Sequence, residues 1–255
     1  MKKIWISEFE RTFKRKKTWI GIVIYIALIG LECLFLTLID GRSFYDPDHI
    51  VMLNSLNTAP FLLRELGLFH LFILIPMFVV DSFNGEYTSG AFRFILLRPQ
   101  ERIKLYIVKW GVQGTITFSL LLITCLVGTM YGRLFFPLVS EVSFFNTDSL
   151  MPFGAFVYVL KFYGISFLIL LAVITIGSLI SVLMPNVILA YVGIIGFLIG
   201  SIYVSDHLSF FLTFTDSIFQ VLGKQNDTLL LLVLLIILIS YIISIIVWKK
   251  RNWMG

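Results

Sequence analysis

Charge is scarce in this sequence. Only 14% of its 255 residues are Asp, Glu, Lys or Arg, where a soluble domain carries about a quarter. So few charges cannot cover a water-facing surface, and lipid must be the solvent for much of the chain. Cysteine is nearly absent. Cys33 and Cys125 both lie in apolar runs, without zinc spacing or the density of a disulfide scaffold, and read as small buried apolar residues. His49, His70 and His207 are isolated. No Glu-Glu-x-x-x-Arg or Gly-x-Ser-x-Gly pattern accompanies them, which argues against an intramembrane protease. No Gly-x-x-x-x-Gly-Lys-[Ser/Thr] phosphate loop occurs, so the chain is expected to bind no nucleotide cofactor of its own. Inverted repeats, the mark of many ion-driven carriers, are also lacking.

What the chain has is apolar length. Its residues are 58% hydrophobic and its mean hydropathy is +0.96. Hydrophobic runs fill most of it and leave no room for a soluble catalytic domain, so residues 1–255 read as one all-α transmembrane domain. Six spans are expected, at 18–39, 61–81, 104–130, 155–183, 186–204 and 228–248, each near the ~20 residues that cross a bilayer. The third and fourth exceed one crossing and are expected to tilt or project. The first run is followed by Asp40-Gly41-Arg42 rather than a small-x-small site, so it reads as a retained span and not a cleaved signal.

The net charge of +5 is not spread as nucleic-acid binding would require. Basic residues cluster before the first span (Lys2 to Lys17), between the second and third (Arg93, Arg98, Arg102, Lys104) and after the sixth (Lys249 to Arg251). These fourteen fall on one side, against Arg42, Arg133 and Lys224 on the other. The positive-inside bias then puts both termini in the cytoplasm. Partners are expected to be the bilayer and proteins, with no nucleic acid.

In residues 1–17, Ile4, Trp5, Phe9 and Phe13 recur at helical spacing among Lys, Arg and Glu. This pattern predicts an amphipathic helix lying in the headgroups. Leu183-Met184-Pro185-Asn186 predicts a tight turn, because proline cannot continue the helix before it. Residues 205–227 are oddly apolar, with Phe210, Phe211, Phe214 and Phe219, and are expected to form a re-entrant or interfacial hairpin on the outer side.

The informative stretch is 82–102, the expected cytoplasmic loop after span two. From Thr88 on, Phe92, Ile95 and Leu96 share one helical face, and Pro99 ends the pattern. Glu86-Tyr87-x-x-Gly90-x-x-Arg93-x-x-Leu96-Leu97-x-Pro99-x-x-Arg102 resembles the signature of the ABC-2 type transporter permeases, with Ala91 where that family usually has Thr. Chain length, the basic amphipathic start, six spans and the apolar segment before the last span are similar to that family as well.

The resemblance implies a permease subunit of a bacterial ABC exporter, itself no enzyme, working as a homodimer or heterodimer. Two separate ATPase subunits would bind ATP and Mg. Glu86, Gly90, Arg93, Leu96, Leu97, Arg98, Pro99 and Arg102 would belong to a coupling helix that passes ATPase closure to the spans. Residues 1–17 would match the family's connecting helix. Glu86 is expected to pair with Arg93 or with a basic residue of the N-terminal helix.

Some polar residues fall inside spans. Glu32 and His70 are candidates for a cargo path, with a protonated, hydrogen-bonded Glu and a packed, hydrogen-bonded His as the alternatives. Asp81 and Lys109 are expected to snorkel, and Arg64 and Glu65 to anchor span two. Gly111, Gly114, Gly164, Gly177, Gly193, Gly196 and Gly200 are expected at helix contacts. The apolar, aromatic spans favour a hydrophobic or amphipathic cargo, such as a peptide, antibiotic or toxin, exported across a bacterial plasma membrane. The alternative is a membrane sensor or scaffold that binds a cytoplasmic partner without transport.

Overall fold

The structure, a computed structural model, describes residues 1–46, 48–88, 90, 101–224 and 228–250. It is built of helices. The first, α1 (Lys2–Lys14), stops where Arg15 adopts extended backbone, and α2 (Lys16–Leu38) starts at once. The long helix α3 runs over Thr58–Thr88. It is followed by α4 (Arg102–Phe135), α5 (Pro152–Leu183) and α6 (Val187–Val204). A 3-10 turn at Asp206–Phe211 leads to the short α7 (Phe214–Leu222), and α8 (Leu229–Lys250) closes the described chain. Helices α2, α3, α4, α5, α6 and α8 are long and apolar enough to cross a membrane. At 1.5 Å per residue the 34 residues of α4 span about 51 Å, well beyond ~30 Å of hydrocarbon.

Two helices form the centre. Two-thirds of the most apolar stretches of α3 and α5 are buried, against about a fifth of those of α6 and α8. The peripheral helices turn Leu, Ile and Val outward, as expected where lipid is the solvent. Close approach of α3 and α4 depends on two glycines that sequence spacing did not single out. A Cβ on Gly128 would lie 2.8 Å from the Ala59 Cα, and one on Gly132 would lie 2.7 Å from the Thr58 hydroxyl. Of the glycines expected at contacts, Gly111 receives the Trp5 ring and Gly193 meets Ile180. A Cβ on Gly164, Gly196 or Gly200 would meet nothing within 4 Å among the described residues, so these three are not close-packing points there.

Helix α3 carries two π turns, at His70–Leu74 and Asp81–Gly85. The first precedes Pro76, which has no N–H to give the Phe72 carbonyl four residues back. Tyr191 of α6 supplies the missing donor, its hydroxyl 2.6 Å from that carbonyl. The turn between α5 and α6 is solved in the same way. Pro185 cannot serve the Ser181 carbonyl, and the Asn84 side-chain amide donates to it at 2.9 Å and to the Met184 carbonyl at 2.8 Å. Asn186 then caps α6 by accepting from the Leu189 N–H.

One expectation needs correction here, and two helices have other bounds than the expected segments. The fold is not wholly helical: strands β1 (Arg42–Phe44) and β2 (Ile50–Met52) pair antiparallel, with Ser43 opposite Val51. Asp40 and Gly41, both at positive φ, turn the chain out of α2, and β-branched Ile50 and Val51 suit the ladder. The helix that carries span two, expected over 61–81, does not stop there. It continues to Thr88, because the Asp81–Gly85 turn keeps the backbone hydrogen-bonded past the apolar stretch. Span one begins at Lys16 and α1 ends at Lys14, so the amphipathic segment is shorter than 1–17.

Candidate functional site

The ends of α3 and α5, the starts of α4 and α6, and all of α1 meet at one end of the bundle, the collar end. Helix α1 packs its Trp5 edge against Gly111 of α4. That contact presses Glu8 and Thr12, on the same helical face as Trp5, into the interior, where Glu8 is fully buried. Beneath it lies Lys109 of α4, also fully buried.

An ammonium has three protons to place. Those of Lys109 have three acceptors: Glu8 Oε1 at 2.9 Å, the Ser82 carbonyl at 2.9 Å and Glu86 Oε2 at 2.6 Å. Arg11 pairs with Glu8 and lies 3.7 Å from Glu86. Arg15, at the elbow between α1 and α2, takes two carboxylates at once, Asp81 at 2.6 Å and Glu86. Residues five apart on an α-helix diverge by about 140°. The π turn at Asp81–Gly85 stacks i over i+5 and so brings Asp81 and Glu86 to the same guanidinium. Three cations, Arg11, Arg15 and Lys109, thus balance Glu8, Asp81 and Glu86. Taking such groups out of water costs several kcal/mol per ion, which only this degree of pairing offsets. The cluster ties α1, the α1–α2 elbow, α3 and α4 into one body.

Of the residues singled out from sequence, Glu86 is in the cluster, paired with basic residues of the N-terminal segment as one of its two expected alternatives held. Lys109 does not snorkel. It turns inward because Glu8, Ser82 and Glu86 offer it a complete set of acceptors. Gly90 is at positive φ (+74°), and among the described residues a Cβ on it would meet nothing within 4 Å. Arg102 begins α4, and its carbonyl accepts the Trp248 indole N–H at 2.9 Å. Arg93, Leu96, Leu97, Arg98 and Pro99 lie outside the described residues. Glu8, Arg11, Arg15, Ser82 and Lys109 were not picked out as a group. The available signal was an acidic residue on the same helical face as Trp5 and Thr12, and a lysine inside a predicted span.

The cargo-path candidates lie elsewhere. His70 is buried, edge-on to Tyr25 with ring centroids 4.5 Å apart. Its ring is packed as expected, with the Leu66 backbone as its polar neighbour and no hydrogen bond of good geometry among the described residues. Glu32 is half-buried on α2, its Oε1 buried with no hydrogen-bond partner among the described residues. Arg64 is not a simple anchor: it pairs with Asp216 of α7 at 2.8 Å, tying the start of α3 to that short helix.

A bundle of six membrane-length helices whose one end is locked by a buried ion cluster is a multi-pass membrane protein. The chain belongs to the family described as "Protein of unknown function (DUF2705)", which it matches over residues 20–254. No curated protein matches it.

Proposed function

We propose that this chain is the membrane-spanning subunit of an ATP-driven exporter of the ABC-2 type, with ATP hydrolysed by two partner subunits at the collar end. The observation that carries the reading is the Glu86 ion cluster. Glu86 opens the motif that resembles the ABC-2 signature, and it is clamped to Arg15, Arg11 and Lys109. A push on the segment after Thr88 would therefore reach α1, α2, α3 and α4 together rather than bend a loop.

On this reading the collar end faces the cytoplasm of a bacterial cell, with both termini there, and residues 82–102 act on the ATPases through Glu86, Arg93, Leu96, Leu97, Arg98, Pro99 and Arg102. Two copies, or this chain and a second permease, enclose the path for a hydrophobic or amphipathic peptide, antibiotic or toxin. The segment from Asp206 to Leu222 forms the re-entrant hairpin on the outer side. The contacts that support this tie α7 to α3: Arg64–Asp216, and Phe214 in the space beside Gly67. ATP and Mg belong to the partners.

The test is co-purification from the native membrane, followed by reconstitution. A nucleotide-hydrolysing partner should come with the chain, and its ATPase should rise with cargo. Glu86→Gln should abolish that rise while thermal unfolding confirms a folded protein. If no ATPase accompanies the chain, the exporter reading fails and a sensor or scaffold remains. If the folded Glu86→Gln protein keeps full stimulation, Glu86 does not couple.

A further inference from the structure

A cleft of about 620 Å³ opens at the collar end, between the elbow at Arg15 and the start of α6. That is within the about 300–1,000 Å³ usual for small-molecule sites. Arg11, Lys14, Arg15 and Lys17 line it against Asp81 and Glu86. Both arginines are engaged in the ion cluster. Lys14 and Lys17 are held loosely: their carboxylates, Glu10 and Asp81, are 4.0 and 3.7 Å away, and their side chains are 80% and 68% exposed.

The opposite wall is Val187, the first residue of α6. The first-turn N–H groups of a helix have no partner within it, and Asn186 takes only that of Leu189. The helix end therefore adds partial positive charge to the cleft. On the Lys17 face of α2, Ile20 and Ile24 are exposed and apolar, and so are Ile188 and Val192 on α6. A positively charged seat whose two flanking helices carry exposed apolar side chains complements an amphiphile with an anionic head.

We propose that this cleft binds an anionic phospholipid, its phosphate held by Lys14, Lys17 and the first turn of α6, its acyl chains along α2 and α6. The lipid bridges the elbow to α6, two elements that the ion cluster does not join. The proposal needs the membrane setting of the six helices but not the ATPase.

Native mass spectrometry of the detergent-solubilised full chain, titrated with phosphatidylglycerol or phosphatidylcholine, tests it. Phosphatidylglycerol should be retained and phosphatidylcholine not. Lys14→Gln with Lys17→Gln should weaken retention by about tenfold or more. Lys2→Gln with Lys3→Gln, the same charge change at the far end of α1, should leave it within about twofold. Both lysine pairs are exposed, and unchanged lipid-free unfolding confirms folding. Equal losses in the two double variants would reduce the effect to general attraction, and no loss in the first would remove the site. Displacement of the lipid by an equal concentration of inorganic phosphate would make the ligand a phosphate ion rather than a lipid. None of these results depends on whether an ATPase partner exists.

Discussion

Lys109 and Glu8 are each fully buried, and each is tolerable because the other is among its partners. Lys109→Met leaves Glu8 and Glu86 with arginines alone, Arg11 for both and Arg15 for Glu86, and removes the fully buried cation between them. It should destabilise the protein by about 3–5 kcal/mol, the usual result of breaking one side of a buried pair. Adding Glu8→Gln to Lys109→Met should recover part of that loss. Thermal unfolding of the four proteins of this cycle in detergent measures the coupling, and additive losses would deny it. Gln113, one turn further along α4, is the opposite case. It is buried, and neither atom of its amide has a partner among the described residues. Gln113→Leu should therefore raise stability by about 1–3 kcal/mol. A fall instead would show that an ordered water completes the amide.

At the scale of elements, backbone left open by proline is closed by side chains from other helices. Asn84→Ala removes the donor for two carbonyls at the end of α5. The expected loss is about 1–3 kcal/mol, with faster amide exchange confined to the α5–α6 turn. Unchanged exchange there would count against the cap. At the β-hairpin, Asp46 accepts from the Asp48 and His49 N–H groups and faces His49 Nδ1 at 2.6 Å. The His49 hydrogen bond, with the backbone donors, holds the Asp46 carboxyl below its usual value. A depressed carboxyl contributes stability above its unfolded pKa and loses it as pH falls through the folded value. The hairpin should thus loosen only in acid, and Asp46→Asn should remove that pH dependence in histidine NMR shifts.

Apolar run length made the six spans legible, and Pro185 made the α5–α6 turn legible. Neither the hairpin nor the π turns could be read in that way. A hydropathy window averages over the few residues of β1 and β2. The π turn at Asp81–Gly85 is favoured by partners, Arg15 and Ser181, that lie 66 and 97 residues away. Glu86 was legible through its motif. Lys109 was not, because a charge near a span end reads as snorkelling unless its distant acceptors are known.

For the whole molecule, the decisive contrast is between a sealed core of α3 and α5 and an outer shell whose Leu, Ile and Val side chains face outward. Single cysteines placed at Lys3 and at Lys249 should react with an impermeant thiol reagent only from the cytoplasmic side of sealed vesicles. One placed at Phe44 of the hairpin should react from the other side. Labelling of Lys3 and Lys249 positions from opposite sides would break the proposed topology and with it the placement of the ion cluster. Trp248 belongs to this scale too, since its indole ties the end of the last helix to the start of α4.

The separation of Glu8 from Lys109 also sets an order of assembly. Glu8 leaves the ribosome 101 positions ahead of its ammonium partner. Until then a carboxylate destined for the interior has every reason to stay hydrated at the bilayer surface. Helix α1 thus settles late, because translation must reach the start of α4 before Glu8 can dock.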